Sequence, residues 1–146
     1  LGALLGDRLR MSTHFTNENL FIRSVATRGS LGGLSDKIIE VVEVMRSYAF
    51  DYIFIETVGV GQSEVEIAGL ADTTIVVSVP ESGDEIQTLK SGVMEIADIY
   101  VVNKSDRDGS QTFASYLKQL AHVKATEDWE IPVIQTSTVE QRGIEK

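Results

Sequence analysis

The sequence predicts an α/β domain: a mostly parallel sheet flanked by helices. Apolar runs of strand length alternate along the chain with segments whose apolar residues recur at helical spacing. The strand-like runs are near-continuously apolar, as strands are when crossover helices cover both faces of a parallel sheet. These runs also end abruptly in polar residues, at Glu56, at Asn103 and at Thr136. Open α/β sheets bind ligands at that C-terminal edge.

The elements follow in order. Residues 20–25, Leu-Phe-Ile-Arg-Ser-Val, are β-prone. Gly29, Gly32 and Gly33 then fall within five residues and resist regular structure, so a turn is expected. Ser35 is placed to cap a helix carrying Ile38, Ile39, Val41, Val42, Met45 and Ala49. Residues 51–55 read as a buried strand bounded by Glu56, and residues 63–71 as a short helix. Residues 73–79 are a β-branched strand closed by Pro80. Residues 84–97 form a helix with Ile86, Leu89, Val93, Met94 and Ile96. A strand is expected over 99–102, a helix over 110–124, a strand over 131–136, and a further helix from Val139. Polar stretches such as 107–109 and 126–128 are loop-sized, so residues 1–146 read as one domain or most of one.

Composition narrows the function. Hydrophobic residues make up 42% and charged residues 24%, which fits a globular protein. A formal charge of −9 disfavours non-specific binding to nucleic acid or anionic lipid, yet permits a nucleotide in a local pocket. There is no cysteine, which excludes disulfides, thiolate metal sites and a thiol nucleophile, and fits a cytoplasmic location. No apolar run reaches the ~18 residues that span a bilayer. The chain opens on Leu1-Gly2-Ala3 with no signal pattern, as an interior point of a longer chain would.

Glu56 ends the 51–55 run and is followed by Gly59, Gly61 and Gln62. An acidic residue in this place can order Mg²⁺, directly or through water, and a glycine lets backbone N–H groups approach a terminal phosphate. Gln62 can orient attacking water or serve as a surface or capping amide. Asn103-Lys104-Ser105-Asp106 ends the Val101-Val102 run. A carboxylate at Asp106 accepts from both the ring N–H and the exocyclic amine of guanine, and adenine offers neither donor there. Each charged hydrogen bond contributes roughly 1.5–3 kcal/mol, enough for ~100-fold discrimination. The Lys104 stem can cover a base face, and Asn103 can tie adjacent loops. Thr136, Ser137 and Thr138 sit where backbone N–H groups can meet guanine O6; Ser137 or Thr138 can instead cap a terminal helix, and both can hold at once. Asp7 and Arg8 can meet Mg²⁺ and phosphate, or form a surface ion pair. His14 and His122 lack partners at metal-ligand spacing, and Trp129 reads as packing. Together the motifs point to a nucleotide hydrolase selective for guanine. No Gly-x-x-x-x-Gly-Lys-Ser/Thr phosphate loop occurs in these residues.

In this order the motifs resemble the MeaB/ArgK family, GTPases associated with methylmalonyl-CoA mutase, in the class of the signal-recognition-particle GTPases. The resemblance covers nearly the whole chain. Residues 4–11 look like the family's first switch, which suggests Asp7 as a Mg²⁺ ligand beside Glu56. Residues 21–34 are similar to the segment before a long helix. Residues 56–64 match its second switch nearly residue for residue, and residues 83–98 its third. The third switch senses nucleotide and communicates with the mutase, so Asp84, Glu85, Gln87 and Lys90 are its coupling residues. The family's phosphate loop and its dimerisation extension have no counterpart here, and Ser137-Thr138 stands where Ser-Ala is usual.

The resemblance implies a partial phosphate-loop NTPase domain, with GTP or GDP and Mg²⁺ as cofactors. It implies a homodimer at full length, and a role in loading or protecting adenosylcobalamin on an acyl-CoA mutase. Glu56, Gly59 and Gln62 would be the catalytic group; Asn103, Lys104, Asp106, Ser137 and Thr138 would hold the base. The 146 residues alone are expected to be inactive. Two other readings are a GTP-gated binding switch with hydrolysis as a timer, and a transport-system kinase.

Overall fold

The computed structural model describes residues 11–14, 16–25, 37–57, 67–80 and 91–145. Contacts group the chain into two compact units, Leu1–Gly61 and Gln62–Lys146.

The first unit holds a 3-10 turn at Ser12–His14 and helix α1, Ile38–Arg46. Helix α1 buries Val42 and half-buries Ile38, Val41 and Met45, while Glu40, Glu43 and Arg46 are exposed, although Ile39 and Val44 are exposed too. Its polar face carries the ion pairs Lys37–Glu40 at 2.6 Å and Arg46–Glu43 at 3.5 Å, both solvated and worth little. It ends before Ala49, where Val44 O accepts from both Ser47 N at 3.1 Å and Ser47 Oγ at 2.6 Å. The proposed cap Ser35 and the glycine turn lie outside the described residues.

The strand expected over 51–55 does not form, and the β-prone residues 20–25 are not a strand either. Residues 20–25 and 52–57 carry no ladder. Tyr52 and Phe54 are 79% and 85% exposed, with their rings stacked at 6.3 Å. Apolar, β-prone residues supply only the capacity to pair. A strand exists when its N–H and C=O groups meet a neighbour's, and residues 52–57 have no such neighbour among the described residues.

The second unit is built on a parallel sheet. Strand β1 is Ile75–Ser78, β2 is Ile99–Val102 and β3 is Val133–Gln135, in the order β1-β2-β3. Ile75 pairs with Ile99 and Ser78 with Val102, while Tyr100 pairs with Val133 and Val102 with Gln135. Helix α2, Ser91–Glu95, precedes β2, and helix α3, Ser110–Lys124, links β2 to β3. This is the strand–helix–strand alternation read from the sequence. Residues 67–71 close one helical turn through Ala71 N to Ile67 O at 3.0 Å.

The core lies on one face of this sheet. Val76, Tyr100 and Val102 meet Met94, Ala97 and the α3 residues Phe113, Ala114, Leu117 and Ala121. The helical spacing of those α3 residues puts one stripe against the sheet. Fully burying Leu117 alone is worth roughly 1.5–3 kcal/mol. The other face carries Ile75 and Val77, 48% and 62% exposed. The carbonyl of Met94 gathers this core at one point, accepting from Tyr100 OH at 2.5 Å and Lys124 Nζ at 2.6 Å. Trp129 is half exposed, and its ring N–H donates to Asp98 O at 3.1 Å.

The helix expected from Val139 is absent. Residues 138–141 turn instead, closed by an antiparallel bridge between Ser137 and Arg142. Gln141 at φ 50° and Gly143 at φ 73° take left-handed backbone, which a right-handed helix cannot continue through.

Candidate functional site

The site lies where β2 and β3 run out. The ladder between them continues past the strands: Thr136 N donates to Val102 O at 2.8 Å, and Ser105 N to Thr136 O at 2.9 Å. On the other side, Asn103 N donates to Ser78 O at 2.8 Å, tying the end of β2 to β1. The loop after β2 is thus anchored to both neighbouring strands.

Lys104 then leaves the strand in left-handed backbone, φ 54°. An L-residue there costs roughly 1–2 kcal/mol. Asn103 Oδ1 helps offset it, accepting from Lys104 N at 2.8 Å and from Thr136 Oγ1 at 3.3 Å. That amide joins the two loops, and the exposed Lys104 side chain projects at the edge. Ser105 is buried, and its carbonyl accepts from Ser110 Oγ, on the first residue of α3, at 2.8 Å.

Asp106 is exposed, and its carboxylate accepts from Ser137 Oγ at 2.5 Å. Ser137 is fully buried. Its single hydroxyl proton goes to Asp106, and its oxygen accepts from Glu140 N at 3.2 Å, so the group both donates and accepts. The Ser137 hydroxyl, then the backbone N–H of Asp106 itself, and then Arg107 and Arg142 hold the Asp106 carboxyl below the ordinary aspartate value. The group is therefore an anion at neutral pH, with solvent access and fixed orientation. Such a carboxylate suits a ligand edge that presents adjacent N–H donors, as guanine does.

The Thr136 and Ser137 amides are already used, by Val102 O and by Arg142 O. Of the three residues named for O6 of a base, only Thr138 keeps an N–H without a partner among the described residues. Ser137 contributes through its hydroxyl instead. It also caps the turn through Glu140 N, although no helix follows.

Glu56 lies in the first unit, exposed, with no partner for its carboxylate among the described residues. That chemistry fits a hard cation such as Mg²⁺. Asp7, Gly59, Gln62, Asp84, Glu85, Gln87 and Lys90 lie outside the described residues. No cluster of three metal-ligating side chains occurs among the described residues, and none of their helices is long and apolar enough to cross a membrane.

Four further residues shape the site: Ser105, Ser110, Arg142 and Gly143. Ser105 and Ser110 lie in or beside the Asn103–Asp106 motif, so its spacing hinted at them. A Cβ on Gly143 would lie 2.1 Å from Gln135 O, so the turn passes hard against the end of β3. Arg142 reaches back across 37 residues to Ser105, a contact with no local signal.

Comparison with known proteins identifies the family. The family model described as methylmalonyl-CoA mutase-associated GTPase MeaB matches residues 1–146. GTPase ArgK of Escherichia coli is 37% identical over 150 residues, covering 99% of this chain and 45% of the relative. A Pyrococcus horikoshii protein with a provisional GTPase name is 48% identical, covering 99% of this chain and 47% of its own. The mitochondrial methylmalonic aciduria type A homolog of Caenorhabditis elegans is 36% identical, covering 98% and 37%. A crystal structure of an LAO/AO transport system kinase superposes with a TM-score of 0.62 at 31% identity, covering 73% of this chain and 35% of that one. The chain therefore spans about half the length, or less, of these relatives. It belongs to the MeaB family of methylmalonyl-CoA mutase-associated GTPases.

Proposed function

We propose that the protein containing this chain is a Mg²⁺-dependent GTPase that assists adenosylcobalamin loading or protection on methylmalonyl-CoA mutase or a related acyl-CoA mutase. The observation that carries the reading is the Asp106–Ser137 pair, a fixed exposed carboxylate at the C-terminal edge of a parallel sheet. Asp106 selects guanine, the Lys104 stem covers the base, Asn103 and Ser137 hold the two loops, and the Thr138 amide faces O6.

The reaction is attack of water on the γ-phosphate of GTP. Catalysis of this kind comes from positioning and charge neutralisation more than from covalent steps. Gln62 orients the water and Gly59 senses the γ-phosphate. Glu56 and Asp7 are the residues that would hold Mg²⁺, which when bound neutralises phosphate charge. Asp84, Glu85, Gln87 and Lys90 couple nucleotide state to the mutase. The whole protein is read as a cytoplasmic homodimer. Support comes from the family match, the GTPase names of the relatives, and the methylmalonic aciduria homolog among them.

Phosphate release by the full-length protein, with and without its mutase, tests the proposal. Hydrolysis of GTP but not ATP, stimulated by the mutase, is expected. Turnover of ATP at the same rate would overturn the base assignment. Lys90→Ala should keep basal turnover within about tenfold, ~1.4 kcal/mol in the barrier. Mutase stimulation should be lost, because the coupling is what the substitution removes. The kinase named in the similar structure favours one rival reading. Transfer of labelled γ-phosphate to an acceptor protein, rather than to water, would establish it.

A further inference from the structure

Arg142 belongs to no recognised motif, yet it is where the two base-reading loops are fastened together. Its backbone pairs with Ser137 in both directions: Ser137 N donates to Arg142 O at 2.9 Å, and Arg142 N to Ser137 O at 3.0 Å. Its side chain turns the other way. Nη2 donates to Ser105 O and to Ser105 Oγ, each at 3.2 Å. The same nitrogen lies 3.1 Å from Glu140 Oε2, which aims the guanidinium.

Both contacts converge on Asp106 from opposite sides. The Ser105 carbonyl belongs to the peptide plane whose other end is the Asp106 N–H. Holding that carbonyl fixes the plane from which the Asp106 side chain springs. The backbone bridge fixes Ser137, whose hydroxyl holds the Asp106 carboxylate at 2.5 Å. One residue thus sets both the root and the tip of the reading carboxylate. The rest of the Ser105 carbonyl's environment is supplied by Ser110 Oγ from α3, so the plane is pinned between a helix and the opposite loop.

We infer that Arg142 is the positioning residue for base selection, holding Asp106 in the orientation that engages the ring N–H and the 2-amino group of guanine together. The inference rests on the guanine reading proposed above. A flat guanidinium suits the task because its N–H groups lie in one plane with fixed directions, whereas an ammonium is a mobile point charge. The Arg142 side chain is 56% exposed, so removing it opens no core cavity. Its loss should therefore register in selectivity before it registers in stability.

The test uses the full-length protein and two ligands, GDP and IDP, which differ only in the 2-amino group. Arg142→Met keeps an unbranched apolar stem and removes the donors. The preference for GDP over IDP is expected to fall by about fivefold to tenfold, the scale of one weakened charged hydrogen bond. Thermal unfolding should stay close to that of the parent, and Arg142→Lys should restore part of the preference. An unchanged GDP/IDP ratio in Arg142→Met overturns the inference. So does an equal loss of affinity for GDP, IDP and ADP, which would mark a general structural role. Asp106→Asn is the control for the underlying reading. If that variant too leaves the GDP/IDP ratio unchanged, the guanine assignment fails rather than the role of Arg142.

Discussion

Residues 51–56 and 98–103 read alike in sequence. Each begins with Asp, carries an apolar run containing a tyrosine, and ends in a residue with chemistry to offer, Glu56 or Asn103. In the structure they differ at every level. Tyr52 is 79% exposed and Tyr100 fully buried. Ile99–Val102 is hydrogen-bonded to a strand on each side, and residues 52–57 to none among the described residues. Composition decides whether a segment can be a strand, and a neighbouring backbone decides whether it is one. The same difference extends to the polar ends. Asn103 sits in a web of backbone and side-chain bonds, and Glu56 presents a solvated carboxylate.

Amide hydrogen exchange on the 146-residue chain would test this contrast most directly. Amides inside a ladder exchange only when it opens, and those facing water exchange freely. Residues 100–103 are expected to be protected on the order of 10³-fold more than residues 53–56, given a marginal stability of several kcal/mol. Equal protection would show that the two segments do not differ.

Base selection is the next largest effect. Asp106→Asn in the full-length protein replaces an acceptor-only group with one that also donates. Guanine nucleotide affinity should drop about 100-fold, the worth of one or two charged hydrogen bonds. Xanthine nucleotides, with a changed donor–acceptor edge, should bind better than to the parent. The variant keeps a side-chain oxygen for Ser137, so the loop should stay folded. Unchanged GTP affinity would remove Asp106 from the site.

What was legible follows the same physics. The bounds 99–102 and 110–124 came directly from a β-branched run and a helical stripe, because both elements bury their apolar faces within their own unit. Asn103 and Asp106 were legible because one loop motif follows a legible strand. Strand 51–55 was misread because ladder partners are non-local. The turn after Ser137 was misread as a helix because Ser137, Thr138 and Glu140 look like a helix start. The left-handed backbone of Gln141 has no marker in a non-glycine residue. Arg142 was invisible because its partner lies 37 residues away.

Two glycines sharpen the point about neighbours. Gly109 and Gly143 both have positive φ, 82° and 73°. A Cβ on Gly109 meets nothing within 4 Å, whereas on Gly143 it meets Gln135 O at 2.1 Å. Gly143→Ala should cost about 2–4 kcal/mol, conformational strain plus a forced shift of the β3 end. Gly109→Ala should cost only ~1 kcal/mol, from conformation alone. Urea titration of each variant would measure both. Equal losses would mean that the backbone angle, not the close approach, governs Gly143.

The smallest effect brings the comparison back to its two tyrosines. Tyr52→Phe removes an exposed hydroxyl with no protein partner among the described residues, so stability should stay within about 0.5 kcal/mol. Tyr100→Phe removes a buried hydroxyl from Met94 O, but Lys124 Nζ still satisfies that carbonyl. The loss at neutral pH should be about 1 kcal/mol rather than the full penalty of an orphaned acceptor. Alkaline pH separates the two further. Burial, and then the neighbouring Tyr116, raise the Tyr100 pKa above the ordinary value of 10.0. Between the unfolded and the folded pKa, the unfolded chain has lost this proton and the native chain keeps it. The stabilisation associated with the neutral phenol is thus complete below about pH 10 and declines as pH rises through the folded-state pKa. Urea unfolding from pH 8 to pH 11 should show a steeper alkaline loss for the parent than for Tyr100→Phe. Parallel curves would mean that Tyr100 ionises as freely in the fold as out of it, and would contradict its place at the centre of the core.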